Sequence, residues 1–345
     1  MQLKTIWAHE INQGCSIPLD HRDILYIKDN IIAGVDSWSM GLHRFFEKVG
    51  TPHCVISELC VDTEAALSPV PIYSVPFRCM EILPINFSND AQPEQLHTDY
   101  CFSFAVKKKT VHRHIFLKLI EYFKLTSYDG TFGADWRDYD MSRILEEMRQ
   151  AGTYSQELRG ALTGPIGLPR RWIESPISML NVWKTGLNEI CQRSAVHVIN
   201  ETISWEQSSM FSEKTLHAIM GLNFPLWVGG YGNAAALERM GFDVFNDVID
   251  HSYQYHTRLI DRCYWAIELN RRILQDLDYA RYCRQRADSR LRLNLQRLHD
   301  GTAAKFNESV MAAWPPHIAD PVRAAMQQEK ARAIKSWQDL GFVPD

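Results

Sequence analysis

FSEKTLHAIMGLNFPLWVGG, residues 211 to 230, runs from an amphipathic helix through Gly221 and Pro225 into a short apolar strand. Ser212 has the chemistry of an N-cap, so Glu213 and Lys214 fall in the first helical turn, where free N–H groups and the positive end of the helix dipole face outward. An anion can sit at such a place. Lys214 adds a point charge suited to a phosphate, and Glu213 can accept hydrogen bonds from sugar hydroxyls, a pairing that suits a sugar nucleotide better than a bare phosphate. An N-cap followed by an acid is also an ordinary helix start, so spacing alone leaves both readings open.

The pattern continues outward on both sides. AVHVIN (195 to 200) precedes the segment as a strand, and VGGYGNAAALERMGF follows it with Gly229, Gly230 and Gly232 between strand and helix, where a backbone can approach a ligand closely. Further back, ILYIK (24 to 28) and CVISELC (54 to 60) are β-branched apolar runs, separated by MGLHRFFEKVG (40 to 50) with helical spacing and a terminal glycine. DYCFSFAV (99 to 106) reads as a strand leading into KKKTVHRH (107 to 114) and a helix. The densest Gly and Pro usage lies in SYDGTFGADWRDYD and TGPIGLPRRWIESP, which places the domain connection at about 150 to 177. The expected fold is therefore α/β, with one Rossmann-like domain over 1–155 and a second over 175–345. From about 253 the chain reads as helical, with Leu291, Leu295 and Leu298 at i, i+4 and i+7 and an amphipathic segment over 319–341, so the second domain is expected to carry a helical C-terminal tail.

Length and composition agree with this layout. The chain has 345 residues, more than the roughly 100–200 of one ordinary domain. It is 46% hydrophobic and 23% charged, with no tract of about 18 apolar residues of the kind a membrane span requires. MQLKTIWAHEINQGC lacks the apolar stretch of a secretory signal, and the eight cysteines show no CxxC pair or disulfide ladder. A cytoplasmic protein with reduced thiols is the expectation. The net charge of −4 excludes a generic polyanion binder, although RYCRQRADSRLRLNLQR (281 to 297) has six arginines against the single acid Asp288.

The order VINET, FSEKTLHAIMGLNFPLWVGG, LERMGFDVFNDVIDHSYQYHTRLIDR resembles the C-terminal, donor-binding half of a family of glycosyltransferases abundant in bacteriophages, and more distantly of the α-fucosyltransferases. The matching steps are Glu201-Thr202, Ser212-Glu213-Lys214 and Gly241-Phe242. Phe224-Pro225 is inverted relative to the family, and Asp250-His251-Ser252-Tyr253-Gln254 has histidine and glutamine where the family has acids. The likeness covers about 195 to 265 and extends more faintly to His112-Arg113.

The resemblance implies a GT-B pair of Rossmann-like domains, a nucleotide sugar as donor substrate, no cofactor and no metal ligand set. It gives Glu213 and Lys214 the donor's ribose and pyrophosphate, with Arg113 as the arginine that helps hold the pyrophosphate. Ser212, Glu201, Thr202 and Gly230 complete the expected donor side. Transfer also needs a base for the acceptor hydroxyl, and Glu58, Asp62 and Asp99 are alternative candidates in the N-terminal half. Two DxD pairs, Asp138-Tyr139-Asp140 and Asp276-Leu277-Asp278, could serve a metal-dependent enzyme, but both also read as helix-start or solvated acids. His112, His114, His251 and His256 lack recognisable zinc spacing. The acceptor is open: a hydroxylated DNA base in a phage would bring the arginine-rich helix onto phosphates, and a glycan, a protein or a metabolite fits as well. Two other classes stand beside the enzyme, namely an inactive nucleotide-sugar-binding protein and a structural or DNA-interacting protein working through the helical tail.

Overall fold

A computed structural model describes residues 2–7, 17–28, 45–57, 70–74, 96–106, 110–132, 156–163, 166–168, 187–201 and 211–339, with 142 and 146. Among these residues the strands form two four-stranded parallel sheets. In the first, β1 (Gln2–Trp7), β2 (Asp23–Lys28), β3 (Cys54–Ser57) and β4 (Ile72–Ser74) lie side by side in chain order, Ile24 standing between Leu3 and Cys54. In the second, β5 (Tyr100–Val106), β6 (Tyr128–Phe132), β7 (Ser194–Ile199) and β8 (Phe224–Trp227) take the order β6-β5-β7-β8. Val196 there lies between Phe102 and Phe224. Parallel strands covered on both faces read as near-continuous apolar runs, and Ile24 to Ile27 and all of β7 are buried.

The helices follow in chain order as α1 (Val111–Tyr122), α2 (Gln156–Thr163), α3 (Asn188–Gln192), α4 (Glu213–Met220) and α5 (Asn233–Arg239). After them come α6 (Leu259–Leu269), α7 (Arg271–Gln275), α8 (Leu277–Arg286), α9 (Asp288–His299), α10 (Thr302–Ala312) and α11 (Pro316–Asp339). Helix α1 links β5 to β6, and α4 links β7 to β8. These two crossovers leave the β5/β7 pair in opposite directions, and right-handed crossovers then put α1 and α4 on opposite faces of the sheet.

The chain divides into two compact units, and the division corrects the expected one at 155 to 175. One unit gathers 1–90, 206–211 and 298–345, and the other 91–205 and 212–297. The reason is strand pairing: Phe102, Ser103 and Phe104 of β5 stand beside Val196, His197 and Val198 of β7, so the chain from about 91 belongs with the second sheet. The helical tail forms as expected over 259–339, but its last part, from 298, belongs to the first unit and not to the second. Met311, Ile318, Val322 and Met326 pack on Ile24, Tyr26, Cys54 and Ile56, and Trp314 lies 5.1 Å from Tyr73, all in the first unit. Helical periodicity tells that a face seeks cover without telling which sheet supplies it.

Among the described residues no helix is long and apolar enough to cross a membrane. The described cysteines Cys54, Cys101, Cys191 and Cys283 are free thiols and, like Cys263, buried.

Candidate functional site

The second sheet reverses its strand order between β5 and β7: the chain goes from β5 to β6 on one side, while β7 lies on the other side and leads to β8. In open parallel sheets, ligands bind outside the carboxyl ends of the strands at such a point. The residues just beyond those ends here are Thr110 to Arg113 and Asn200 to Glu201. Arg113 spans them, its Nη2 donating to the Asn200 carbonyl at 3.0 Å. His112 is fully buried beside it, with the Thr110 hydroxyl 3.3 Å from Nδ1 and the Glu201 backbone as a further partner. Burial, then the Arg113 charge, push His112 well below the ordinary imidazole value, so it is neutral at pH 7. Burial also lowers Arg113, opposed by the carboxylates of Glu201 and Glu213.

Helix α4 starts at the same edge, held by a buried network. Ser212 caps it as the sequence predicts, its Oγ accepting from the Lys214 N–H at 3.3 Å and donating to Glu201 Oε2. Glu201 Oε1 accepts from the Ser212 N–H at 3.1 Å and from the Thr215 hydroxyl at 3.2 Å. Thr215 Oγ1 in turn accepts from Trp227 Nε1 of β8 at 3.2 Å. Burial raises the Glu201 carboxyl, while Lys214 and Ser212 oppose that shift. Both Glu201 oxygens are thus committed inside the protein, and its part is to position the α4 start between β7 and β8. Lys214 Nζ lies 2.7 Å from Glu213 Oε1 and 3.2 Å from Ser212 Oγ, so the cation rests on its neighbours at the helix N-terminus.

The glycine-rich turn after β8 reaches this edge as well. Gly229 takes a positive φ of 80°, and its carbonyl accepts from Arg262 Nε at 2.9 Å. Arg262 is fully buried and also donates to the His256 and Thr257 carbonyls, at 2.8 and 3.0 Å. Gly230 serves packing rather than an open approach: a Cβ there would stand 2.6 Å from Asn233 Oδ1 and 3.0 Å from Trp227 Cβ. Gln254, in the loop that departs from the family pattern, caps α5 by accepting from the Ala234 N–H at 3.0 Å.

Asp99 is removed from the site. It precedes β5, at the amino edge of the sheet, and pairs with Arg193 at 2.7 Å. The strand between it and the Arg113 edge spans roughly 20 Å at about 3.3 Å per residue. Glu58, Asp62, Thr202 and the Asp138-Tyr139-Asp140 step lie outside the described residues. The second DxD is a helix start: Asp276 caps α8 by accepting from the Tyr279 N–H at 3.0 Å, and Asp278 is solvated and pairs with Arg281 at 3.3 Å. Asp276→Ala is therefore expected to lower stability by about 1 kcal/mol and to leave nucleotide binding unchanged. Weaker binding in that variant would restore the pair as a ligand site.

His251 is buried, with Nε2 2.9 Å from the Val244 carbonyl, and burial depresses it to about 4. His256 is exposed and stacks on Trp265. Among the described residues no group of three or more His, Cys, Asp or Glu is placed to hold a metal ion. The arginines of 281–297 are largely committed: Arg281 donates to the Thr98 carbonyl, Arg284 is buried, Arg290 bridges Asp243 and Asp247, and Arg292 pairs with Asp288.

Of the residues expected on the donor side, Arg113, Glu201, Ser212, Glu213, Lys214 and Gly230 all stand at the carboxyl edge of the second sheet. Sequence reasoning missed Asn200 and Arg262. Neither has a local signal, since each matters through which strand end it adjoins. Comparison with models of protein families, with curated proteins and with solved structures found no match.

Proposed function

We propose that the protein is a glycosyltransferase of the GT-B type, with two Rossmann-like domains, that holds a nucleotide sugar at the carboxyl edge of the second sheet. The reading is supported by one observation above the others: Arg113, Lys214 and the N-termini of α1 and α4 converge where the strand order reverses. Such a cluster concentrates positive charge and N–H groups for a diphosphate. In the proposed reaction the bond from the sugar's anomeric carbon to the diphosphate oxygen breaks and one to the acceptor oxygen forms. The departing diphosphate takes the electron pair, stabilised by Arg113 and Lys214, and the acceptor hydroxyl gives its proton to a base. With Asp99 removed, Glu58 and Asp62, which follow β3, are the candidates for that base. A hydroxyl is the acceptor this chemistry requires, and the internal pairing of the 281–297 arginines gives no support to DNA in that place.

Thermal melts with UDP, GDP, CDP and their sugars test the reading. A ligand at a hundred times its Kd stabilises the native state by about 2.7 kcal/mol. A melting temperature unmoved by every nucleotide would overturn it. Stabilisation without transfer or hydrolysis would leave a nucleotide-sugar-binding protein. Transfer is further expected to survive EDTA, because the two cations and helix N-termini neutralise the leaving diphosphate themselves. Activity lost in EDTA and recovered with manganese or magnesium would show a metal to be part of the reaction.

A further inference from the structure

Asn200 is the residue the network leaves aside. It is 0% exposed, and neither its Oδ1 nor its Nδ2 has a hydrogen-bond partner among the described residues, although its carbonyl holds Arg113. A buried carboxamide without partners is costly, and native proteins rarely keep one without a use. Its position suggests the use. Glu201, one residue on, turns to α4, and the alternation of an extended chain sends Asn200 to the opposite face, where α1 begins with His112 and Arg113.

Both halves of the amide are unpartnered, and that narrows the ligand chemistry. A phosphate only accepts hydrogen bonds and would leave Oδ1 unsatisfied. A pair of neighbouring hydroxyls satisfies both atoms, one donating to Oδ1 and the other accepting from Nδ2. We propose that Asn200 is a specificity-determining residue whose carboxamide hydrogen-bonds hydroxyls of the donor's transferred sugar, next to the diphosphate held by Arg113. This rests on the nucleotide-sugar reading of the same edge.

The proposal has two consequences of opposite sign. Asn200→Leu removes an unpartnered polar group while keeping the branching and the number of side-chain heavy atoms, so without ligand it should melt at or above the wild-type temperature. The same variant should bind nucleotide sugar about tenfold more weakly while binding the matching nucleoside diphosphate within about twofold of wild type, as expected when the two neutral hydrogen bonds of one carboxamide are lost. The experiment is calorimetric titration of wild type, Asn200→Leu and Asn200→Ala with UDP, GDP, CDP and their glucose, galactose, mannose and fucose conjugates, alongside thermal melts. Equal weakening for nucleotide and nucleotide sugar, or no weakening of either, overturns the role of Asn200 while the donor site stands. A melting temperature clearly below wild type for Asn200→Leu overturns it as well, by showing that the amide holds the fold. A wild-type protein that binds none of the nucleotides overturns the donor site itself, and the role of Asn200 with it.

Discussion

Arg284→Ala is expected to destabilise the protein by at least about 3 kcal/mol, an effect of the size that follows from stripping a buried, hydrogen-bonded charge out of its partners. Arg284 is 0% exposed, and every bond it makes goes to a neutral oxygen. Its Nη1 donates to the His97 and Gln192 carbonyls, each at 2.8 Å, and to Thr98 Oγ1 at 3.2 Å. Nη2 reaches the Gly221 carbonyl at 2.9 Å, and Nε the Leu222 carbonyl at 3.1 Å. Gln192 ends α3 and Gly221 is the C-cap of α4, so one guanidinium takes up carbonyls at the negative ends of two helices and ties them to the entry of β5. Burial lowers its pKa to about 10, which still leaves it charged at pH 7.

At about 2–4 °C per kcal/mol for a domain of this size, the melting temperature should fall by on the order of 10 °C. Arg284→Met separates the contributions, because it keeps most of the stem while leaving the four carbonyls without their donor. It should lose nearly as much. A loss below about 1 kcal/mol in both variants would mean that water or a rearranged neighbour replaces the guanidinium. Arg286, exposed on the same helix, is the control, and its replacement by alanine should stay within about 0.5 kcal/mol. Arginine content alone cannot tell these two residues apart. The run from 281 to 297 reads as a basic face, yet one of its arginines is the most committed side chain at the amino edge of the second sheet.

The same contrast marks what could be read from the chain before its fold was known. Continuous apolar runs became β2, β5 and β7, and the N-cap at Ser212 formed as its chemistry requires, because these depend on neighbours within a few residues. Strand β6 was hidden in a glycine-bearing stretch that reads as loop. Gly130 is there because the Phe104 ring covers it: a Cβ would stand 2.4 Å from that ring, a requirement set by a strand 26 positions away. Strand β1 is mixed in polarity, and pairing with β2 is what makes it a strand.

Domain boundaries failed for a related reason. A Gly- and Pro-rich stretch shows where the chain bends, whereas a unit is defined by pairing, and β5 pairs with β7 across 94 positions at Ser103 and His197. The site divides in the same way. Ser212, Glu213, Lys214 and Arg113 stood out through helix-start chemistry and family likeness. Asn200 became visible only once β5 and β7 were known to be neighbours, and Asp99 fell away only once the strand direction placed it at the far edge.

Lys214→Ala and Glu213→Gln are each expected to weaken nucleoside diphosphate binding roughly ten- to a hundredfold, the equivalent of a charge-assisted hydrogen bond of about 1.5–3 kcal/mol. The pair sits on the first turn of α4, with Lys214 Nζ 2.7 Å from Glu213 Oε1, and both side chains are largely shielded. Burial alone would raise the Glu213 carboxyl, but the charge and hydrogen bond of Lys214, with His217 nearby, outweigh it and hold the group at about 2. A depressed carboxyl contributes stability above its unfolded value, and that contribution is lost as pH falls toward about 2. Lys214→Ala removes the stabilising partner, so the stability difference between variant and wild type should be largest near neutral pH and shrink below about pH 4.

Binding and stability therefore both respond to each change. Glu213→Gln keeps a hydrogen-bond acceptor for Lys214 but loses the carboxylate charge, and with it some neutral-pH stability and the charge with which a carboxylate holds a ribose diol. Lys214→Ala should lose both affinity and some neutral-pH stability. If the pair only opens a helix, the stability changes remain, at about 0.3–1 kcal/mol each, and the affinities do not move. Titration of UDP, GDP and CDP against wild type and both variants decides the matter, and unchanged affinity in both would leave Arg113 and the α1 terminus as the anion site, with the α4 start reduced to a well-capped helix.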